Sequence, residues 1–187
     1  MLKIIDNALN NSLLISIKER IEASGFPWFF LENSAYPDDK KLVKQNRLNY
    51  SFYHKVLDKG KPNEVFSPPI LDMTNSIGLI LKDSFELETY NVFRLRWGMT
   101  TTLNKIHRHT PHTDMLMSHK AILFYLNDSD GDTYFYDKEH KIIDSVTPKE
   151  NRAVLFDGSI LHSSSKPIKF ARRIVLNINL VEKYENI

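Results

Sequence analysis

Cysteine is absent from the 187-residue chain, which excludes disulfides, thiolate catalysis and zinc sites that depend on sulfur. A bound metal would have to be held by histidine and carboxylate. Long apolar runs are missing too: Asp6, Asn7 and Asn10 interrupt the N-terminal apolar stretch, and no later run reaches spanning length. The expectation is a soluble, cytoplasmic protein without a membrane partner. Charge of one sign is not in excess, since 25 Lys and Arg stand against 23 Asp and Glu. No polyanionic partner is implied, and nucleic acid has no support. Internal repeats, low-complexity segments and linkers are also lacking. With 42% hydrophobic and 26% charged residues the chain matches an ordinary globular composition, and its length suits one domain over residues 1–187. Nothing in it fixes an oligomeric state.

Two amphipathic segments lie in the N-terminal half. Leu13, Leu14, Ile17 and Ile21 recur at helical spacing before the stop signal of Gly25 and Pro27, which predicts a helix over 10–23. Ile70, Met73, Ile77, Ile80 and Leu81 predict a second helix over 69–83, with Gly78 as a weak point inside it. Between them the aromatic runs Trp28–Leu31 and Tyr50–Tyr53 read as strands or an ordered loop, their rings as core.

Past Ser84 the pattern becomes strand-like. A run from Glu86 to Trp97, bounded by Gly98, is followed by AILFYL, TYFY, KIIDSV, RAVLF and RRIVLNINL, separated by Asn, Asp, Gly and Pro turns. Short strands without intervening helices indicate a sandwich or jelly roll, with the two helices packed on its larger sheet. The division expected is a helical and mixed support over 1–84 and a β core over 85–182.

Within the β core His112 and Asp114 are two residues apart, so on an extended segment both point to one side. His162 follows the turn DGS and would arrive from a facing strand. Two imidazoles and one carboxylate on one face of an octahedron leave three positions open, the set that non-haem iron(II) oxygenases use.

The segments PHTD, HKAILFYLNDSDGDTYFYD, NRAVLFDGSILH and RRIVLNINL, in this order, resemble the prolyl-4-hydroxylase-like branch of the 2-oxoglutarate oxygenases over residues 90–180. The resemblance implies a double-stranded β-helix, cupin-like in architecture. It further implies Fe(II) on His112, Asp114 and His162, 2-oxoglutarate as cosubstrate, O2, and ascorbate as an admissible reductant.

One arginine of the last strand is expected to hold the distal carboxylate of the cosubstrate, because a guanidinium fork matches a carboxylate. Alternation puts Arg172 with Ile174, Leu176, Ile178 and Leu180, and Arg173 with Val175, Asn177 and Asn179. The second face is the polar one and suits a wet pocket, so Arg173 is the expected anchor. Carried across by position, the resemblance also places Ile122, Phe124, Thr133, Asn177 and Asn179 near the cosubstrate. Phe124 is a departure, because many relatives carry a tyrosine hydroxyl there. Tyr125 is adjacent, and a register change of one would restore that hydroxyl by turning the strand over. Tyr90, Arg96, Thr133 and Asn177 are the other groups that could assist Arg173.

His107, Arg108 and His109 form a basic loop expected at the rim, with Arg96 as a further substrate contact and Arg94 facing solvent. His119 reads as structural, and His54 and His140 give no sign of a role. Only four residues separate Asp114 from His119, which leaves no room there for a long clasping loop. Residues 33–68 and 100–111 remain as lid candidates. The expected activity is a dioxygenase hydroxylating an unactivated C–H, foremost in a prolyl residue of a peptide or protein, with succinate and CO2 released. The alternatives are a free amino acid or small metabolite as substrate, or a non-catalytic binding module.

Overall fold

The computed structural model describes residues 2–34, 48–63 and 68–183. Among these, two helices, α1 (Asn11–Ile21) and α2 (Pro68–Ser84), accompany eleven strands. Four strands precede residue 68 or lie beside it in the N-terminal part: β1 (Lys3–Ile5), β2 (Phe29–Leu31), β3 (Ser51–Asp58) and β4 (Lys61–Pro62). The rest are β5 (Tyr90–Thr101), β6 (Lys120–Tyr125), β7 (Thr133–Tyr136), β8 (Ile142–Val146), β9 (Arg152–Asp157), β10 (Leu161–Ser164) and β11 (Arg172–Glu182). The larger sheet runs β1-β9-β6-β11-β5-β3-β2 with β4 beside β3, and the smaller one runs β10-β7-β8. The fold is mainly β, a jelly roll of the double-stranded β-helix kind with the helices on the larger sheet.

Asn10 caps α1 by accepting a hydrogen bond from the Leu13 amide at 2.9 Å, which satisfies one of the orphan donors of the first turn. Leu14, Ile17 and Ile21 of α1 are buried. They join Ile77 and Leu81 of α2 in a core against Leu95 and Trp97 of β5, Ile122 and Phe124 of β6, and the aliphatic face of β11. Burial of each such side chain stabilises by about 1.5–3 kcal/mol, so this layer dominates the fold. Gly78 belongs to it: a Cβ there would meet the Leu95 side chain at 3.1 Å, so the glycine lets α2 lie close on β5. Trp97 is fully buried, yet its indole N–H donates to Thr74 Oγ1 at 3.1 Å. A second core lies between the sheets, from Leu123, Tyr125, Phe135, Val154, Phe156 and Val175 with their neighbours.

Three details differ from the sequence reading. β1 pairs with β9 through Lys3↔Leu155 to Ile5↔Ala153; three residues are too few for a periodicity to show. β5 starts only at Tyr90, because Glu86 sits in a turn with φ 58°. The same strand continues through Gly98 to Thr101, paired with β11 throughout and with β3 as far as Met99. No helix of the described residues is long and apolar enough to cross a membrane.

Candidate metal centre and its two pockets

His112 and His162 form an isolated antiparallel bridge, each amide donating to the other's carbonyl at 3.0 Å. Their Nδ1 atoms lie 3.1 Å from Thr110 O and 3.0 Å from Ile160 O. A carbonyl can only accept, so each Nδ1 carries the proton and each Nε2 presents a lone pair. Burial, followed by the neighbouring His162, pushes the pKa of His112 down to about 4, so its ring is neutral near pH 7. Phe156 packs edge-on to the His162 ring at 4.9 Å and fixes its plane.

Asp114 completes the set, its ligand atoms and those of the two histidines lying within 4.8 Å of one another. Its Oδ2 accepts from Asn177 Nδ2 and Asn179 Nδ2, both at 2.9 Å, and its Oδ1 accepts from Arg94 at 2.8 Å. Burial alone would raise the pKa of this carboxyl, but the imidazoles of His162 and His112 together with Arg94 and Arg96 outweigh it and hold it well below the usual range. Of about four lone-pair positions on a carboxylate, three donors leave one for a cation. Two imidazole nitrogens and one carboxylate oxygen fit an Fe(II) site with open positions.

An inner pocket extends from the triad along the sheet and is lined by His112, His162, Leu123, Thr133, Arg173 and Asn177 among others. Arg173 is buried and donates from Nη2 to Thr133 Oγ1 at 2.8 Å. Thr133 Oγ1 also bonds the Tyr125 hydroxyl at 2.7 Å, and the guanidinium lies 5.3 Å from the Tyr125 ring centroid. Gly131 makes this approach possible, since a Cβ there would sit 2.7 Å from Ser165 O and 3.2 Å from Arg173 Cδ. Arg173 Nε, Thr100 Oγ1 and Asn177 Oδ1 are buried with no partner among the described residues. Leaving such groups bare costs about 1–3 kcal/mol each, so the pocket is built for a polar ligand. Arg172 instead faces outward and pairs with Glu22 at 3.0 Å.

Several expected site residues lie elsewhere. Ile122 and Phe124 are fully buried in the helix-covered core, not in the pocket. The reason is register: Phe124 pairs with Leu176 and Ile178 with Ile122, whereas Tyr125 pairs with Val175 and Leu123 with Asn177. Directly opposed residues share a face, so Leu123 and Tyr125 belong with Arg173, and Tyr125 brings a hydroxyl to that face. Asn177 and Asn179 are in place, but their amides hold the Asp114 carboxylate. Arg94 does not face solvent; it joins Asp114 and donates from Nε to Asn179 Oδ1 at 2.7 Å.

The basic loop is no rim. His109 is buried, its Nδ1 within 2.9 Å of Ser34 Oγ and 3.1 Å of Ser164 Oγ. Burial is the first cause that drives its pKa well down, with Lys166 adding to it. His107 packs on His109 at 5.5 Å, and Arg108 lies 4.5 Å above the Tyr134 ring on the smaller sheet. None of the three lines either pocket. His119 is buried over the turn at Gly158, where a Cβ would strike its ring at 2.1 Å. Of the lid candidate at 33–68, residues 35–47 and 64–67 lie outside the described residues, and 51–58 and 61–62 form β3 and β4.

An outer pocket of ≈ 370 Å³ adjoins the triad and shares Ser34, Arg96 and His112 with the inner one. Tyr53, Lys55, Arg94, Arg96, His112 and Asp114 are among its lining residues. Tyr53 of the aromatic run is therefore pocket wall, and Phe30 is 62% exposed, so only part of that run is core.

The fold has counterparts among known proteins. Residues 99–181 match the model of the 2OG-Fe(II) oxygenase superfamily. The superfamily match takes in both histidines, Asp114 and Arg173, and it begins within β5. Comparison with curated protein sequences finds no match. Among solved structures the chain is similar to a 2OG-Fe(II) oxygenase family oxidoreductase from Burkholderia pseudomallei, with TM-score 0.70, 12% identity, and 96% of this chain and 84% of that one covered. It is similar to a prolyl hydroxylase from Trichoplax adhaerens in complex with a hypoxia-inducible-factor peptide fragment, with TM-score 0.65, 17% identity, and 97% and 83% covered. HygX from Streptomyces hygroscopicus, with nickel, 2-oxoglutarate and hygromycin B bound, gives TM-score 0.62 at 9% identity, with 98% and 83% covered. The chain thus resembles the 2OG-Fe(II) oxygenase superfamily over residues 99–181, and in fold it is similar to members that include a prolyl hydroxylase.

Proposed function

We propose that the protein is an Fe(II)- and 2-oxoglutarate-dependent dioxygenase that hydroxylates an unactivated C–H bond. The observation that carries this reading is the junction of the His112, Asp114 and His162 triad with a pocket that ends on the buried Arg173. With Fe(II) and 2-oxoglutarate held there, O2 would be the oxidant and 2-oxoglutarate the co-reductant, one oxygen atom entering C–H as C–OH and the other entering succinate as CO2 leaves.

The chain's own residues hold, orient and shield. His112 and His162 offer Nε2 because their Nδ1 protons are committed to Thr110 and Ile160 carbonyls. Asn177, Asn179 and Arg94 keep the Asp114 carboxylate ionised and aimed. Arg173, braced by Thr133 and stacked on Tyr125, would take the distal carboxylate of the cosubstrate in a charge-assisted bond. Leu123 and Val175 wall the same pocket with carbon, which excludes water and strengthens the ionic contact.

Likeness to a prolyl hydroxylase supports a prolyl residue of a peptide or protein as the substrate. A second reading, a free small molecule, is favoured by the cations of the outer pocket, Lys55, Arg94 and Arg96. Succinate release from 2-oxoglutarate, measured with Fe(II) under air, tests the activity. It is expected in the wild type and absent in His112→Ala and Asp114→Ala, both of which keep the fold. Equal succinate from wild type and either variant would refute the proposal.

A further inference from the structure

The outer pocket is lined by three basic side chains, Lys55, Arg94 and Arg96, and by one acid, Asp114. Two of the three are already engaged. Arg94 is paired with Asp114, and Lys55 donates to Asp58 Oδ2 at 2.9 Å. Arg96 is not: among the described residues its guanidinium makes no hydrogen bond or ion pair, although it is partly buried at the boundary of the two pockets.

Strand pairing explains how Arg96 comes to be there. It lies opposite Lys55 on β3 and opposite Asn177 on β11, and opposed residues share a sheet face. That row puts a fixed fork of N–H donors beside His112 and Asp114, where the inner and outer pockets meet. Burial, then the charge of Arg94, work against its own positive charge, and the charge of Asp114 opposes them. An arriving anion adds both a charge and hydrogen-bond acceptors, whereas a neutral amide adds an acceptor alone.

We propose, on the basis of the oxygenase reading above, that the outer pocket binds a small molecule bearing an acid group, which Arg96 anchors with Lys55 beside it. A pocket of ≈ 370 Å³ lies in the range of small-ligand sites. Tyr53 and Leu31 supply apolar wall for the carbon skeleton. The acid is a carboxylate or a phosphate monoester, because the guanidinium fork matches both. A prolyl residue within a peptide has a neutral amide where free proline has its carboxylate, so the free acid is the favoured form.

Calorimetric titration of the full chain with matched acid and neutral probes tests this. N-acetyl-L-proline is paired with N-acetyl-L-prolinamide, N-acetylglycine with N-acetylglycinamide, and glycerol 3-phosphate with glycerol. At least one acid should bind about tenfold or more tightly than its neutral partner, as a charge-assisted contact implies, and the chemistry of that acid tells carboxylate from phosphate. The preference should vanish in Arg96→Gln, fall partway in Arg96→Lys, and persist in Arg173→Gln, which alters only the inner pocket. Circular dichroism of each variant establishes that it is folded. No acid preference in the wild type, or a preference untouched in folded Arg96→Gln and Arg96→Lys, overturns the proposal. Titration of the Ni(II)-loaded wild type with 2-oxoglutarate tests the underlying reading separately. Acid binding without 2-oxoglutarate binding removes the oxygenase reading and leaves the anion pocket, and the converse removes only the pocket.

Discussion

Arg94 Nη2 stands 2.8 Å from Asp114 Oδ1, in an ion pair whose side chains are 15% and 2% exposed. The same guanidinium reaches Asn179 Oδ1 through Nε, so the carboxylate is held by a ring of Arg94, Asn179 and Asn177. Outer partners of this kind orient a metal ligand, and their loss commonly costs about 10–100-fold in affinity. Arg94→Met should therefore weaken Fe(II) binding by about that factor, read by competition with a chromogenic chelator. Unchanged affinity would show that the two asparagines alone position Asp114.

The two arginines of β11 make a matched comparison. Arg173→Ala removes a buried cation from the inner pocket and should raise the 2-oxoglutarate dissociation constant about 10–100-fold. Arg172→Ala removes an exposed pair with Glu22, a kind worth about 0–1 kcal/mol, and should leave cosubstrate binding as it is. The opposite ranking would contradict the register of β11 against β6.

How far the sequence could be read depended on whether a residue's neighbours are local. The two helices and the alternation of β11 follow from periodicity along one segment, and Ile174, Leu176, Ile178 and Leu180 are indeed in the helix-covered core. His112 and Asp114 share a side because i and i+2 of an extended segment must. The facing of β6 is not legible locally, because five of its six residues are apolar or aromatic and both faces are buried. Its pairing with β11 decides the matter, and pairing the polar face of β11 with Leu123 and Tyr125 would have been the clue. The inward turn of Arg94 was hidden for a similar reason: its partners are 20 and 85 residues away. Burial of His109 depends on Ser34 and Ser164, which no local pattern links to it.

Neighbouring aromatic residues on β6 turn that correction into a measurement. Tyr125→Phe deletes the hydroxyl that bonds Thr133 Oγ1. A bond of that kind contributes about 0.5–1.5 kcal/mol, so 2-oxoglutarate binding should weaken by about two- to tenfold. Phe124→Tyr places a hydroxyl in the apolar core and should cost about 1–3 kcal/mol of stability by denaturant titration. Tighter cosubstrate binding in Phe124→Tyr would return that side chain to the pocket.

At the N-terminus, Asp6 accepts from Arg152 Nε at 2.7 Å and Nη2 at 3.0 Å. This bonding with Arg152 lowers the Asp6 pKa from 3.8 to about 2. A depressed carboxyl favours the folded state above its unfolded value, and that contribution fades as pH falls from 3.8 towards about 2. Asp6→Asn lacks the titrating group, so the stability gap between wild type and variant should narrow over that window. A gap constant with pH would mean that Asp6 tethers β1 without electrostatic effect.

The most direct test of the central claim is spectroscopic and needs no substrate. Under anaerobic conditions, Fe(II) and 2-oxoglutarate added together to the wild-type protein should give a weak visible charge-transfer band that neither gives alone. The band should disappear in Asp114→Ala and require more 2-oxoglutarate in Arg173→Ala. A wild-type protein that binds Fe(II) yet develops no band at saturating 2-oxoglutarate would contradict the account.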